Sequence, residues 1–292
     1  KNAAPRAVYE SKLTGLLKKT EISNLFSGSG AFTQSEENCF DVLIVDEAHR
    51  LNEKSGLYAN LGDNQIKEII STAKCTILFV DDDQLVTLKD IGNSTEIGKW
   101  AKTLGAKSTI MELASQFRCN GSDGYLAWID NTLDIRPTAN EKLDGGEFDF
   151  RVIDTPTELH ELITEKNKLN NKARVVAGYC WSWASKKNPG NFDIVIPEFN
   201  YAKRWNLGSD GSLWIVAPTS IDEVGCIHTS QGLELDYVGV IVGPDLIVRD
   251  GVIITQPEQR ARSDKSLSGY KKLFASNALT AKQRADQIIK NT

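Results

Sequence analysis

No run in this sequence approaches the roughly 18 consecutive apolar residues that a membrane-crossing helix requires, so no membrane association is expected. Cysteine is sparse as well. Cys39, Cys75, Cys119, Cys180 and Cys226 are widely spaced, odd in number and form no CxxC pair. That spacing excludes a disulfide framework and a paired-cysteine zinc site, and leads us to expect a reducing, cytoplasmic compartment. Each cysteine reads as a small buried hydrophobe. Methionine occurs once, at Met111, and the chain opens on Lys1 with no apolar run behind Arg6. We therefore expect no secretory signal, and read the chain as an excised fragment of a longer protein. An excess of basic residues is also missing: 34 Lys and Arg stand against 39 Asp and Glu, for a net charge of −5. A broad basic face that coats duplex DNA is thereby excluded, while a narrow channel for a single strand is not.

What is present is an ordinary globular composition, 40% hydrophobic and 25% charged, over 292 residues. This is enough chain for one large or two medium domains, each with its own core. Val8, Leu13, Leu16 and Leu17 predict a helix entered through Pro5. Phe40–Val45 and Cys75–Val80 are apolar strands separated by a helix near Asp63–Ser71, and both run into acids. Strand, helix and strand with like-shaped ends predict a parallel α/β sheet. Further strands are expected at Ser108–Leu113, Phe148–Asp154 and Ala173–Trp181, with a helix after Thr155 or Thr157. A hairpin is expected around Asp250-Gly251 and helices over the last 25 residues.

The chemistry concentrates in "LIVDEAHRLN", Leu43 to Asn52. Asp46 follows four apolar residues, so its carboxylate emerges at the carboxyl edge of the sheet, where open α/β folds bind ligands. A hard cation such as Mg²⁺ is held there by one or two carboxylates plus phosphate oxygens. Glu47, next in sequence, would orient or deprotonate a water attacking a terminal phosphate. A strand that simply exits into a solvated polar loop explains the four-apolar-plus-DE pattern equally well.

The longer string resembles motif II, the Walker B box, of the helicase superfamilies, and other segments follow in the matching order. "ILFVDDDQ" resembles motif III, "LASQFRC" motif IV of superfamily 1, "IHTSQGLELDYVGVIVG" motif V, and "KNAAPR" motif Ia. "VDEAHRLN", "SQFRCNGSDGYLAWID", "AGYCWSWASKKN" and "EVGCIHTSQGLELDYVGVIVG" together resemble the DUF2075 family, which carries a Schlafen-group helicase-like ATPase domain, over nearly the whole chain. The DEAH spelling matches the DEAH-box RNA helicases, but SQFR and QGLE point to superfamily 1.

The resemblance implies two RecA-like (P-loop NTPase) domains with mainly parallel sheets. The first, truncated at its N-terminus, covers 1–108 with motifs Ia, II and III. The second covers 109–292 with motifs IV and V and lacks its C-terminal end. It further implies ATP as substrate and Mg²⁺ as cofactor, with Asp46 as the magnesium ligand and Glu47 as the base. Gln84 would sense the γ-phosphate, against a plain turn residue. Arg118 would act as an arginine finger, against a surface salt bridge. Gln231, Gly232 and Glu234 would contact the nucleotide, against a polar pair at a helix start. Asn2, Arg6, His228 and Thr229 would face DNA or RNA, most simply a single strand. His49 would couple domains or hold a structural hydrogen bond. His160 reads as a packed or exposed helix residue. Trp181, Trp183, Trp205 and Trp214, beside Lys186, Lys187, Lys203 and Arg204, would either stack bases or pack an irregular ribbon, and packing is the favoured reading.

Two departures accompany these matches. No G-x-x-x-x-G-K-[ST] occurs, and no motif VI arginine segment follows the last helix. The chain alone is therefore expected to show weak or no ATPase activity. The intact protein is expected to be an ATP- and Mg²⁺-dependent helicase or single-strand translocase, and a nuclease or other domain fused upstream would fit that expectation. A nucleotide-gated regulatory or defence switch that binds nucleic acid without unwinding is the second reading. A nuclease using Asp81–Asp83 is the third, weakened by the absence of a D/E-x-K pattern.

Overall fold

The computed structural model describes residues 3–56, 60–113, 122–143, 148–206 and 211–292. In chain order its helices are α1 (Ala3–Leu13), α2 (Lys19–Leu25), α3 (Gln65–Thr72), α4 (Ser94–Thr103), α5 (Asp123–Thr132), α6 (Pro156–Asn167), α7 (Ile227–Ser230), α8 (Tyr270–Ser276) and α9 (Ala278–Asn291). The strands are β1 (Phe40–Val45), β2 (Ala73–Leu78), β3 (Ala173–Ala177), β4 (Ile194–Ile196), β5 (Tyr201–Lys203), β6 (Val224–Gly225), β7 (Tyr237–Ile241), β8 (Leu246–Arg249) and β9 (Val252–Thr255). The class is mixed α/β, and the two sheets that carry the cores are parallel. The chain falls into two compact units, Lys1–Met111 with Lys265–Asn291, and Glu112–Asp264 with Thr292. The C-terminal helices α8 and α9 thus belong with the first unit. No helix among the described residues is long and apolar enough to cross a membrane.

In the first unit, β1 pairs with β2 from Phe40 opposite Ala73 to Val45 opposite Leu78. Alternation sends Leu43, Val45 and Leu78 onto a core of Ala48, Leu51, Ile66 and Ile69. Asn64 starts α3 by accepting from the Ile66 and Lys67 N–H groups, and Asn93 starts α4 by accepting from Glu96 N–H. The alternate positions Val42, Ile44, Ile77 and Phe79 form an apolar face that remains exposed, Ile44 at 69%. A parallel sheet ordinarily buries both faces, so this one is unusually bare. Helix α9 buries Ala281, Ala285, Ile288 and Ile289, the i, i+4, i+7, i+8 stripe of an amphipathic helix.

In the second unit β3 lies between β6 and β7, all parallel, with Val175 opposite both Val224 and Gly239. Helix α6, entered through Thr155 and Pro156, sits directly on this sheet: a Cβ at Gly239 would lie 2.9 Å from Ile163. The core holds Ile163, Ala173, Val175, Ile194, Tyr201, Trp205 and Val224. Arg174 is fully buried and finds neutral acceptors instead of an acid: Ser220 Oγ, Asn167 Oδ1, Asn171 Oδ1 and the Ala217 carbonyl. The β8–β9 hairpin turns on Asp250 (φ 53°) and Gly251 (φ 77°), two successive left-handed residues of the kind a two-residue hairpin loop requires.

Several expectations need correction. Ser108–Leu113 and Phe148–Asp154 form no strand. Both have strand-like composition, but a strand exists only with a ladder partner, and Ile110, Met111 and Leu113 stay almost wholly exposed. Cys39 and Cys75 are exposed, not buried: Cys39 immediately precedes β1, and Cys75 lies in register with Val42 on the bare face. Only Cys226 among the described cysteines is buried. Arg6 lies on α1, in the helix expected from Pro5 onward.

Candidate active site

The end of β1 brings two adjacent carboxylates into opposite environments. Asp46 is exposed, and its Oδ1 accepts the Glu47 N–H at 3.0 Å. Glu47 is buried, with left-handed backbone (φ 55°, ψ 45°). That region is uncommon for residues other than Gly, Asn and Asp and costs on the order of 1 kcal/mol. The turn is held by two cross-strand bonds: Phe79 N–H donates to Val45 O, and Ala48 N–H donates to Phe79 O, each at 2.9 Å. Strained residues held by their surroundings cluster at functional sites.

His49 is the third member of the constellation. Its Nδ1 faces the Asp81 N–H at 3.4 Å, which can only donate, so the ring proton resides on Nε2. Nε2 approaches Glu47 Oε2 at 3.1 Å, with both side chains buried. Burial alone would raise the Glu47 pKa. The contact with His49, with the electrostatic influence of His49 and Arg50, outweighs it, and the carboxyl lies below its ordinary value. Glu47 is therefore an ionised carboxylate in a largely dehydrated position.

Asp81 continues the chain of contacts. Its carboxylate accepts from Gln84 Nε2 at 2.9 Å and from the Asp83 N–H at 3.1 Å. Glu47, His49, Asp81 and Gln84 thus form one connected series from the end of β1 to the loop after β2. Two further devices fix that loop. Asp82 accepts from the N–H and hydroxyl of Ser94 at the start of α4. From α9, Gln287 Nε2 and Asn291 Nδ2 donate to the Asp83 carbonyl at 3.0 and 2.9 Å, while Arg284 donates to the Asp90 carbonyl at 3.0 Å. A cavity of about 580 Å³ opens here, bordered by His49, Asp81, Gln84, Trp100, Arg284 and Gln287. Gly92 closes its floor: a Cβ there would lie 1.8 Å from the Ala48 carbonyl oxygen. The Asp82–Ser94 pair, the α9 amides and Gly92 carry no motif of their own, and only the apolar stripe of α9 hinted that the helix packs on something.

The motif V-like segment of the second unit is built differently. Thr229 is buried, and its hydroxyl accepts from Cys226 N–H at 3.0 Å and donates to the Cys226 carbonyl at 2.9 Å. His228 is exposed beside the Tyr179 ring, with centroids 5.9 Å apart. Gln231 closes α7 through its N–H to the Ile227 carbonyl. Gly232 takes φ 84°, where glycine alone is unstrained. Glu234 is exposed. Arg6 pairs loosely with Glu10 at 3.8 Å. Asn2 and Arg118 lie outside the described residues.

No group of three or more His, Cys, Asp and Glu side chains among the described residues is arranged to hold a metal. A site with one exposed carboxylate, Asp46, suits a hard cation that keeps most of its waters and completes its shell from phosphate oxygens.

Comparison with known proteins gives a consistent picture. The family model of the Schlafen group 3 DNA/RNA helicase domain matches residues 1–292. The uncharacterized protein YPL245W of Saccharomyces cerevisiae is 28% identical over 224 residues, covering 70% of this chain. The chain spans about half, 49%, of that relative's length. No solved structure matches. The match over its full length places this chain in the Schlafen group 3 DNA/RNA helicase domain family.

Proposed function

We propose that the intact protein is an ATP- and Mg²⁺-dependent helicase or single-strand translocase of superfamily 1 type. In this reading the end of β1 is half of its hydrolytic site. The observation that carries it is Glu47: a buried, ionised carboxylate in a left-handed turn, held by His49 and adjacent to an exposed aspartate. Two carboxylates in contrasting environments divide their labour, one as base and the other as electrostatic partner. Glu47 would accept the proton of the attacking water, being ionised at neutral pH as a base must be. Asp46 would hold Mg²⁺, which supplies charge neutralisation at the phosphates. Gln84, fixed by Asp81, would register the state of the terminal phosphate and pass it through His49 to Glu47.

This reading requires a phosphate-binding loop that the 292 residues do not contain. The bare apolar face of β1 and β2 is the kind of surface that packed helices cover in a parallel sheet. The two RecA-like domains, the nucleotide contacts of Gln231, Gly232 and Glu234, and the arginine-finger role of Arg118 belong to the same proposal. So does contact of His228 with a single strand of DNA or RNA.

The test is steady-state ATP hydrolysis by the full-length protein, with and without an oligonucleotide, in wild type and Glu47→Gln. Mg²⁺-dependent turnover that falls at least ~100-fold in the variant is expected for loss of a general base. Turnover unaffected by the substitution would remove Glu47 from the chemistry. Strand displacement measured alongside separates a motor from a nucleotide-gated switch.

A further inference from the structure

Most of the aromatic residues between β3 and β6 are accounted for by packing, since Trp205 and Trp214 are buried. Two are not. Lys186 Nζ stands 5.4 Å from the centre of the Trp183 ring, and the Arg204 guanidinium 5.1 Å from that of Phe192, which is 50% exposed. Both pairs are placed by one buried carboxylate. Asp193 accepts from the Ser185 N–H at 2.7 Å, the Ser185 hydroxyl at 2.5 Å and the Trp205 N–H at 2.8 Å. It therefore ties together the residue before Lys186, the residue after Arg204, and its own neighbour Phe192. Trp205 adds a bond from Nε1 to the Trp181 carbonyl.

The charge at this surface is not answered from within. Among the described residues no ion pair engages Lys186, Lys187, Lys203 or Arg204. Arg204 Nε is buried with no hydrogen-bond partner. Between Tyr179 and Asn206 the four cations face two acids, Asp193 and Glu198, and Asp193 is buried and already saturated. In a chain of net charge −5, this is a local concentration of uncompensated positive charge.

We propose that this surface is a contact site for single-stranded nucleic acid, with Phe192 and Trp183 offering ring faces to bases while Lys186, Lys187 and Arg204 meet phosphates. The proposal deepens the nucleic-acid reading above and rests on it. An acidic polypeptide would satisfy the cations equally well but would leave the exposed Phe192 ring and the outer part of the half-buried Trp183 ring without a purpose. Alternation of rings and cations is what a single strand, with a base and a phosphate in every repeat, can use at once.

The experiment is fluorescence anisotropy of labelled dT20 and rU20 with the full-length protein, at several salt concentrations and with polyglutamate as competitor. Phe192→Ala should weaken binding about 5- to 150-fold, the range of one lost base stack, with the salt slope unchanged. Lys186→Gln/Lys187→Gln, at two exposed positions, should reduce that slope by about 1.4, the value for two lost single-strand phosphate contacts. Arg204→Lys should bind nearly as wild type and Arg204→Gln should not. Circular dichroism melts check that each variant is folded, and Lys142→Gln, at an exposed position outside this surface, should bind as wild type. Wild-type binding that survives all these substitutions overturns this site and leaves the nucleic-acid reading intact. Failure of the wild type to bind either oligonucleotide overturns both. Equal displacement by polyglutamate, with Phe192→Ala silent, overturns the site in favour of an unspecific anion surface.

Discussion

The strand end after β1 and the turn after β6 both correspond to helicase-like strings in the sequence, yet they are built on opposite plans. At the first, Glu47 and His49 are buried side by side, and His49 is linked through the Asp81 backbone N–H to the exposed Asp81 carboxylate and the half-buried Gln84. At the second, the one buried polar side chain, Thr229, serves the backbone of its own short helix, and His228 and Glu234 face outward. A connected series anchored on two buried side chains has a defined geometry before any ligand arrives, whereas side chains without such ties acquire theirs from the ligand. Preorganisation of the first kind is what hydrolytic chemistry needs, since charge stabilisation is strongest where groups need not rearrange. Exposed residues of the second kind suit a partner that is gripped and released.

The comparison can be broken at several points. Glu47→Gln should have the largest effect, a loss of ~100-fold or more in ATP turnover with an unchanged melting temperature. His49→Ala should cost about 1–3 kcal/mol of stability, since it removes the His49 contact from a buried carboxylate. It should also shift the pH dependence of hydrolysis. Glu47 must be ionised to act, and its pKa is held down by His49. Removing the ring raises that pKa, so activity should be lost at higher pH as the solution is acidified. An unmoved acid limb would separate His49 from Glu47.

Gly92→Ala should destabilise by about 1–3 kcal/mol, because the added methyl meets the Ala48 carbonyl. Hydrolysis should fall with it, as Ala48 and His49 are displaced together. In the other region, Thr229→Val should cost about 1 kcal/mol, the value of a lost helix-start hydroxyl, and leave oligonucleotide affinity unchanged. A loss of affinity without a loss of stability would show that the two regions are more alike than described.

The smallest effect is a pH dependence of folding at His160. Its Nε2–H donates to the Ile221 carbonyl at 2.8 Å, and its Nδ1 accepts from the Tyr201 hydroxyl at 2.9 Å. Burial, aided by the charge of Lys203, lowers its pKa below the ordinary histidine value. The unfolded chain therefore takes up a proton first as pH falls below about 6.5, and stability declines across that window. The drop in melting temperature between pH 7 and pH 5 should be smaller in His160→Gln than in wild type.

Much of the first region was legible in the sequence, because an apolar run ending in Asp46-Glu47 is a local signal. The hairpin at Asp250-Gly251 and the start of α6 at Thr155 were legible for the same reason. What was not legible depends on distant partners. Nothing in "VDEAH" says that His49 will meet a backbone N–H 32 residues away. Nor do the amides of Gln287 and Asn291 announce that they hold the carbonyl of Asp83. Strand composition at Phe148–Asp154 was misleading because it describes a willingness to pair and not a partner. The tryptophans divided in a way their spacing could not show: Trp205 and Trp214 are buried, while Trp183 is half-buried against the core with Lys186 over its ring.

The central claim is that Glu47 is an ionised base held by His49. It is tested most directly by the pH profile of ATP turnover by the full-length protein, comparing wild type, Glu47→Gln and His49→Ala. The account predicts an acid limb below the ordinary glutamate range in wild type, the same limb moved upward in His49→Ala, and no measurable turnover in Glu47→Gln. Wild-type turnover retained by Glu47→Gln, with the same limb in all three proteins, would contradict it.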